Sequence, residues 1–188
     1  SPTFYNDGST VVHDVYLTQG HALTGTVYEP NGTAVAEARI RIFSRNDVMI
    51  NGRFRDDHRY PVIKTDHLGR FHLLPQIRKF KLLVLSDKGF AELEDTELLA
   101  NPDVYLWSWG RVEGVVYSGL KPLANISVSL QENHAGQSFD REKINTTWMY
   151  SARTDQYGHF VLDRVRPGPV KISRVIGPDQ VQDKEMRT

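Results

Sequence analysis

The stretch that decides the fold is Thr65-Asp66-His67-Leu68-Gly69-Arg70-Phe71-His72-Leu73, and the chain contains a second, similar copy of it. The second copy is Thr154-Asp155-Gln156-Tyr157-Gly158-His159-Phe160-Val161-Leu162, and the two copies lie 154 − 65 = 89 residues apart. In each copy the Asp carboxylate can accept backbone N–H bonds, and the Gly can adopt a left-handed conformation. The pattern predicts a tight hairpin turn built on Asp66 and Gly69 and again on Asp155 and Gly158.

The same 89-residue spacing holds further upstream. Asp14-Val15-Tyr16-Leu17 recurs as Asp103-Val104-Tyr105-Leu106, and Gly25-Thr26-Val27-Tyr28 is matched by Gly114-Val115-Val116-Tyr117. A period this long indicates duplicated domains rather than a solenoid of short repeats. We predict two domains, 1–102 and 103–188, each large enough to bury a core. Because almost no linker separates them, we expect a fixed relative orientation.

Strand-like patterning dominates both copies. Arg39 to Phe43 and Ser127 to Leu130 alternate polar with apolar residues, as strands with one buried face do. Lys79 to Ser86 is almost entirely apolar in its second half, which predicts a central strand. Helical patterning is confined to Glu92 to Ala100, long enough for a turn or two. Short strands separated by Gly, Pro, Asn and Asp indicate antiparallel β-sandwiches.

These motifs, in this order, resemble the carboxypeptidase regulatory-like domain. In the first copy the similarity lies in Gly25-Thr26-Val27, in Val35 to Ile42 and in the Thr65 to Leu73 stretch; the second copy repeats it, so that it covers about residues 14 to 176. The resemblance implies two tandem transthyretin-like (prealbumin-like) antiparallel β-sandwich domains, a class also described as a carbohydrate-binding-like fold. Such domains stand beside peptidase domains and in tandem on bacterial surface proteins. The family has no shared catalytic residues, so the resemblance concerns a scaffold.

Composition excludes several classes of function. The 188 residues include 23 Lys and Arg against 23 Asp and Glu, so no overall field attracts nucleic acid. There is no cysteine, which removes disulfides and thiolate metal sites. No apolar run has the roughly 20 residues of a membrane span, so we expect no direct membrane insertion. We interpret the chain, which begins at Ser1-Pro2, as a soluble piece of a larger bacterial-type protein.

No residue pattern predicts catalysis, a metal or a cofactor. Asp66 and Asp155 recur, but a turn explains each of them, and equivalent turns on separate domains are poorly placed to act as an acid and base pair. Asp56-Asp57-His58 is the densest acidic neighbourhood, but flanking arginines oppose a cation there. We therefore predict a protein that is not an enzyme.

Two long segments between predicted strands, residues 45–59 and 133–147, differ entirely in sequence between the copies. Two interpretations stay open, a solvated variable loop or a surface that binds a protein partner. The candidate partner-binding residues in the first segment are Arg53, Arg55, Asp56, Asp57, His58 and Arg59.

Aromatic residues give the competing hypothesis. Tyr105, Trp107 and Trp109 alternate, which predicts one strand with all three rings on one face, and the two tryptophans have no counterpart in the first copy. They either pack across the joint between domains or stack on sugar rings together with Trp148 and Tyr150.

We predict a non-catalytic, extracytoplasmic spacer or interaction module, secreted or on the cell surface. It would contact a protein partner or position neighbouring domains of the parent chain. The alternative is a carbohydrate-binding module that uses the exposed aromatic residues.

Overall fold

The computed structural model describes residues 22–55, 60–132 and 144–175. We refer to its residues up to 102 as the first half and to those from 103 as the second half. The strands of the first half are β1 (Leu23–Tyr28), β2 (Arg39–Phe43), β3 (Asp47–Ile50), β4 (Arg53–Phe54), β5 (Val62–Lys64), β6 (Arg70–Leu73), β7 (Lys81–Ser86) and β8 (Gly89–Glu94), followed by the helix α1 (Asp95–Ala100). Those of the second half are β9 (Val104–Tyr105), β10 (Gly110–Val115), β11 (Tyr117–Ser118), β12 (Lys121–Pro122), β13 (Ser127–Glu132), β14 (Thr146–Arg153), β15 (His159–Val165) and β16 (Val170–Val175).

The all-β prediction is confirmed. Strands make up nearly all of the regular structure, and α1, the one helix among the described residues, has six residues. Glu94 and Glu97 form a capping box at its start. In the part of the chain that the structure describes, no helix has the length and apolar character needed to cross a membrane.

The first half is a sandwich of two sheets. One sheet has the order β6-β1-β9 and the other the order β5-β2-β7-β8. Between them lies a core in which Val27 and Phe71 of the first sheet pack with Ile40 and Leu82 of the second. Val104 belongs to this core as well, because β9 pairs in parallel with β1. The first core therefore takes in a strand from beyond the predicted domain boundary.

The second half places β10 and β15 over a five-stranded sheet of order β16-β13-β14-β3-β4. Leu162 and Val165 of β15 pack with Leu130, Trp148 and Tyr150 of the larger sheet. Two strands of that sheet, β3 and β4, come from the first half. The second core therefore also crosses the predicted boundary, in the opposite direction.

The sheet β5-β2-β7-β8 is buried on both of its faces. Along β7, Leu82 and Val84 point into the first core, whereas Leu83 and Leu85 point into the second. This double burial explains why the strand is continuously apolar instead of alternating. The prediction that this strand is central is confirmed, since β7 lies between β2 and β8.

The two Asp-x-x-Gly turns do not form hairpins, so that prediction is wrong. The strand before the first turn, β5, pairs with β2, whereas the strand after it, β6, pairs with β1 in the opposite sheet. The second turn likewise leads from β14 to β15, which pair with different sheets. Each turn therefore carries the chain across the sandwich. The sequence shows a tight reversal but does not show which strands pair on either side of it.

Candidate functional site at the joint between the two halves

A hairpin from the first half completes the sheet of the second half. Strand β3 runs parallel to the start of β14, with Asp47 opposite Thr146 and Met49 opposite Trp148. The backbone N–H of Asn51 donates to the Met149 carbonyl at 2.9 Å. Two asparagine side chains reinforce this pairing. The backbone N–H of Ser151 donates to Asn51 Oδ1 at 2.8 Å. The backbone N–H of Asn145 donates to Asn46 Oδ1 at 2.9 Å.

The sequence carries a signal for this hairpin that the loop interpretation of residues 45–59 misses. Asn51-Gly52 is the typical pair of a two-residue type I′ turn, and both residues have positive φ, 49° and 65°. The flanking side chains of Met49 and Phe54 are apolar and buried. Where it is described, this segment is therefore a strand pair rather than a solvated loop, because its apolar face is covered by the second core.

The candidate partner-binding residues are divided by this arrangement. Arg53 is exposed on β4, opposite Ile50, and the Arg55 carbonyl accepts a hydrogen bond from the buried Arg41 guanidinium at 3.1 Å. The remaining four, Asp56, Asp57, His58 and Arg59, lie outside the described residues. Among the residues that are described, no three His, Asp or Glu side chains gather where they could hold a metal ion.

A buried ion pair anchors the base of the hairpin. Arg41 and Asp47 are 3% and 5% exposed, and Arg41 Nη1 lies 3.3 Å from Asp47 Oδ2. The Asp47 carboxylate also accepts from the Val48 amide, and the Arg41 guanidinium stacks 4.5 Å from the centroid of the Phe54 ring. Removing one partner of such a pair costs about 3–5 kcal/mol, since the other charge remains buried.

Aromatic rings fill the joint beside this pair. Trp109 stacks on Phe90 with 4.7 Å between ring centroids, and both rings meet the edge of Trp148. Trp148 in turn stacks on Tyr150 at 6.4 Å. The Trp109 indole donates to the Ser86 carbonyl at 2.8 Å, so it bonds directly across the joint.

Three of the four candidate sugar-stacking residues are therefore covered. Trp148 and Tyr150 are 2% and 3% exposed, and Trp109 is partly buried. Only Trp107 presents its side chain to solvent, at 70% exposure. Tyr105, two residues earlier in the chain, is 55% exposed, and its ring stacks on that of Tyr28 at 5.3 Å.

The prediction that Tyr105, Trp107 and Trp109 lie on one strand is wrong. Strand β9 ends at Tyr105, Trp107 forms an isolated bridge with Phe90, and β10 begins only at Gly110. The chain therefore leaves the first half's β6-β1-β9 sheet before it reaches Trp109. This change of direction separates the exposed Trp107 from the packed Trp109.

A second charged cluster joins the halves through Glu92. Its carboxylate accepts from Lys81 at 2.9 Å and from the Thr146 hydroxyl at 2.8 Å. Burial alone would lower the pKa of Lys81, but the hydrogen bond and charge of Glu92, helped by Glu94, raise that pKa above its ordinary value. The Lys81 ammonium is thus held charged between the two halves.

A cleft of about 340 Å³ opens at the same joint. Glu37 and Lys88 of the first half, Arg53 of the hairpin and Arg164 of the second half are among its lining residues. Its charges are of both signs, and Arg164 is paired with Asp87 across the joint. The cleft therefore lies between two halves that are held together by an ion pair, and neither sign of charge dominates its lining.

The turn carboxylates lie away from the joint and are used locally. Asp66 Oδ1 accepts from the amides of Leu68 and Arg70 at 2.8 and 2.9 Å, and Asp155 Oδ1 accepts from Tyr157 and His159 at the same distances. The hydrogen bond from the Arg70 amide is the largest influence on Asp66 and holds its pKa below the usual value. These bonds give both carboxylates a structural role.

No protein-family model and no curated protein matches the chain. Two solved structures are similar over most of its length. A double mutant of the shaft pilin SpaA from Lactobacillus rhamnosus GG is 11% identical, covers 86% of this chain and 89% of its own, and has a TM-score of 0.31. The Bacillus anthracis TIE protein is 15% identical, covers 89% of this chain and 30% of its own, and has a TM-score of 0.27. Both scores are below 0.5, so the fold rests on the chain's own strand order and hydrogen bonds.

Proposed function

We propose that this chain is a non-catalytic spacer and interaction module of a larger extracytoplasmic protein, in which two fused β-sandwiches hold neighbouring domains at a set distance. The two repeats, residues 1–102 and 103–188, would be its units. We also propose kinship with the carboxypeptidase regulatory-like domain; the turn hydrogen bonds shared by both copies support the internal repeat on which that resemblance rests.

One observation carries the proposal, the exchange of strands across the joint. The first half gives β3 and β4 to the second half's sheet, and the second half gives β9 to the first half's sheet. A joint made of backbone hydrogen bonds and a common core resists bending, whereas an ordinary linker lets domains swivel. Stiffness of this kind suits a spacer.

The distance between the halves tests this proposal. Because the chain lacks cysteine, the pair Thr24→Cys and Ile172→Cys can carry two spin labels, one on an exposed position of β1 and one on β16. We expect a single narrow distance distribution by pulsed electron resonance. Adding Met49→Asp, which places a charge in the second core, should broaden it. A broad distribution in the starting protein would contradict a stiff joint.

The carbohydrate alternative now depends on a smaller surface. Tyr105 and Trp107 are both exposed and lie two residues apart in the chain, and an exposed aromatic ring is a platform on which a sugar ring can stack. Trp107→Ala should then abolish binding of oligosaccharides, measured by intrinsic fluorescence or calorimetry. Trp148→Phe serves as the comparison, because Trp148 is buried. No binding across a broad glycan panel would rule this alternative out.

A further inference from the structure

The first half shows how an incoming strand completes its smaller sheet. Strand β9 lies parallel to the end of β1, with Val27 opposite Val104 and Tyr28 opposite Tyr105, and the Leu106 amide donates to the Tyr28 carbonyl at 2.8 Å. Val104 and Leu106 are 0% and 3% exposed. The first sandwich is therefore closed by the leading strand of the repeat that follows it.

The second half has the same edge without a strand on it. Val116 and Tyr117 correspond to Val27 and Tyr28 at the 89-residue spacing. On one side Tyr117 pairs with Pro122, as Tyr28 pairs with Ala34. On the other side, within residues 22–55, 60–132 and 144–175, no strand takes the place that β9 has in the first half. We call Val115, Val116 and Tyr117 the open edge.

Burial at the open edge matches a missing strand. Val27 is fully buried, whereas its counterpart Val116 is only half-buried. The side chains of Val115 and Tyr117 are 40% and 55% exposed. Unpaired strand edges with apolar side chains are sites where another strand adds.

A glycine conserved between the two copies, Gly25 and Gly114, also indicates that a strand is missing from the open edge. A Cβ on Gly25 would lie 2.0 Å from the Pro102 carbonyl oxygen, so the close passage of the incoming chain requires glycine there. Gly114 is its counterpart, and a Cβ there would meet only the Phe160 ring, at 3.0 Å, with no backbone near it. The second half therefore keeps the glycine although the described chain passes no backbone over it.

The chain also contains a second copy of the strand that fits. Asp14-Val15-Tyr16-Leu17 is identical to Asp103-Val104-Tyr105-Leu106, which includes β9. These four residues lie outside the described ranges. The edge of β1 that would suit them is already occupied by β9. Donor sequence and open edge are thus both present, one in each half.

We propose that the open edge binds the Asp14–Leu17 segment of a second copy of this chain as a parallel strand. Val15 would then lie opposite Val116 and Tyr16 opposite Tyr117, with Val15 and Leu17 covered as Val104 and Leu106 are. Because donor and acceptor are different surfaces, the contact joins copies head to tail, in an open chain or in a closed ring according to the rotation between neighbouring copies. This inference deepens the proposed function, since it names a partner for the module.

An engineered disulfide tests the register. Tyr16→Cys with Tyr117→Cys would place two cysteines on neighbouring strands about 4.8 Å apart, within the range of a disulfide. Mild oxidation should give a ladder of linked copies on a non-reducing gel. Thr18→Cys with Tyr117→Cys is out of register by two residues and should link several-fold less. Tyr28→Cys with Tyr105→Cys is the positive control and should close within one chain.

Two further results decide the proposal. Adding Val15→Asp and Leu17→Asp should abolish the ladder, whereas the Tyr28–Tyr105 control link should still form in a chain that carries both changes. A bridge between residues 16 and 117 of the same chain, or no bridge at all, would overturn the second copy as occupant. Neither outcome would affect the distance between spin labels in the two halves, so the spacer function is tested separately.

Discussion

A buried threonine explains why both copies share the residues before the turn. The Thr65 hydroxyl donates to the Val35 carbonyl at 2.7 Å and accepts from the Ala38 amide at 2.9 Å. The Thr154 hydroxyl makes the same two bonds, to the Leu123 carbonyl and from the Ile126 amide, at 2.7 and 2.8 Å. Each hydroxyl satisfies a donor and an acceptor that the crossing between sheets leaves without a ladder partner.

Replacing this hydroxyl should destabilise the fold at either position. Thr65→Val keeps the shape of the side chain but leaves a buried N–H and a buried C=O without partners, which costs about 1–3 kcal/mol. Thr154→Val should cost a similar amount. The measurement is urea unfolding, with Thr65→Ser as the control that keeps the hydroxyl. Equal stability of the Val and Ser variants would contradict this role.

Two elements, the β3–β4 hairpin and the short β9, pair as strands with the opposite half. The hairpin pairs in parallel with β14 over four residue positions, and β9 pairs in parallel with β1 over two. Parallel pairing needs a long connection, and here almost the whole intervening chain supplies it. Local sequence therefore specifies each strand, whereas the pairing depends on residues far away in the chain.

The turn of the hairpin should be sensitive to an added methyl group. Gly52→Ala would place a Cβ 2.5 Å from Arg164 Cβ at a φ of 65°. Gly32→Ala is the matched control, because Gly32 has a φ of 86° and nothing within 4 Å. Backbone strain of about 1–2 kcal/mol is common to both, and the clash should add about 1–3 kcal/mol at Gly52 alone. Unfolding free energies that agree within error would contradict the predicted clash with Arg164.

The Lys81–Glu92 contact predicts loss of stability at alkaline pH. The folded-state pKa of Lys81 lies above its ordinary value of 10.5. The stabilisation is therefore complete below about pH 10.5 and is lost as the pH rises through the folded-state pKa. Lys81→Met should cost about 2 kcal/mol at neutral pH, and this difference from the starting protein should shrink above pH 10.5.

A surface lysine provides the comparison for this pH dependence. Lys64 pairs with Glu37, but both side chains are more than half exposed. Lys64→Met should therefore cost less than about 1 kcal/mol. Free energies of unfolding measured between pH 8 and 11.5 test both variants. A difference at Lys81 that stays constant over this range would contradict the raised pKa.

On the scale of the whole molecule, the sheet β5-β2-β7-β8 contributes side chains to both cores. Its residues Leu82 and Leu83 are neighbours in sequence, yet each lies in a different core. Unfolding one half would expose one apolar face of this sheet, and the other half needs the same sheet for its own core. The repeat is visible in the sequence, whereas we expect the folded molecule to unfold as a single unit.

A pair of equivalent core substitutions tests this cooperativity. Leu73→Ala in the first core and Leu162→Ala in the second occupy matching positions at the 89-residue spacing. Each should cost about 2–5 kcal/mol. Both should shift the same single transition in scanning calorimetry. Two transitions, of which each variant moves only one, would show that the halves unfold independently.

Much of the fold could be predicted from the sequence, because strands and turns are local. The alternation in Arg39 to Phe43 and the apolar run in β7 identify strands correctly, and the turn residues Asp66 and Gly69 act as predicted. The partners of the strands could not be predicted, since alternation shows which face is apolar and not what covers either face. In β2 the polar face is covered too, and Arg41 is 3% exposed there. Trp148 illustrates the limit, because its burial depends on a hairpin about a hundred residues earlier in the chain.

The parallel contact between β3 and β14 also has a consequence for synthesis on the ribosome. After Ile50 is made, 146 − 50 = 96 residues must be added before Thr146, the first residue of its partner strand, exists. At about 5–20 residues per second, that takes roughly 5–20 s. Throughout this interval the nascent polypeptide carries Met49 and Phe54 without the cover that the second half supplies. Chaperones that recognise short apolar segments can bind the chain during this interval.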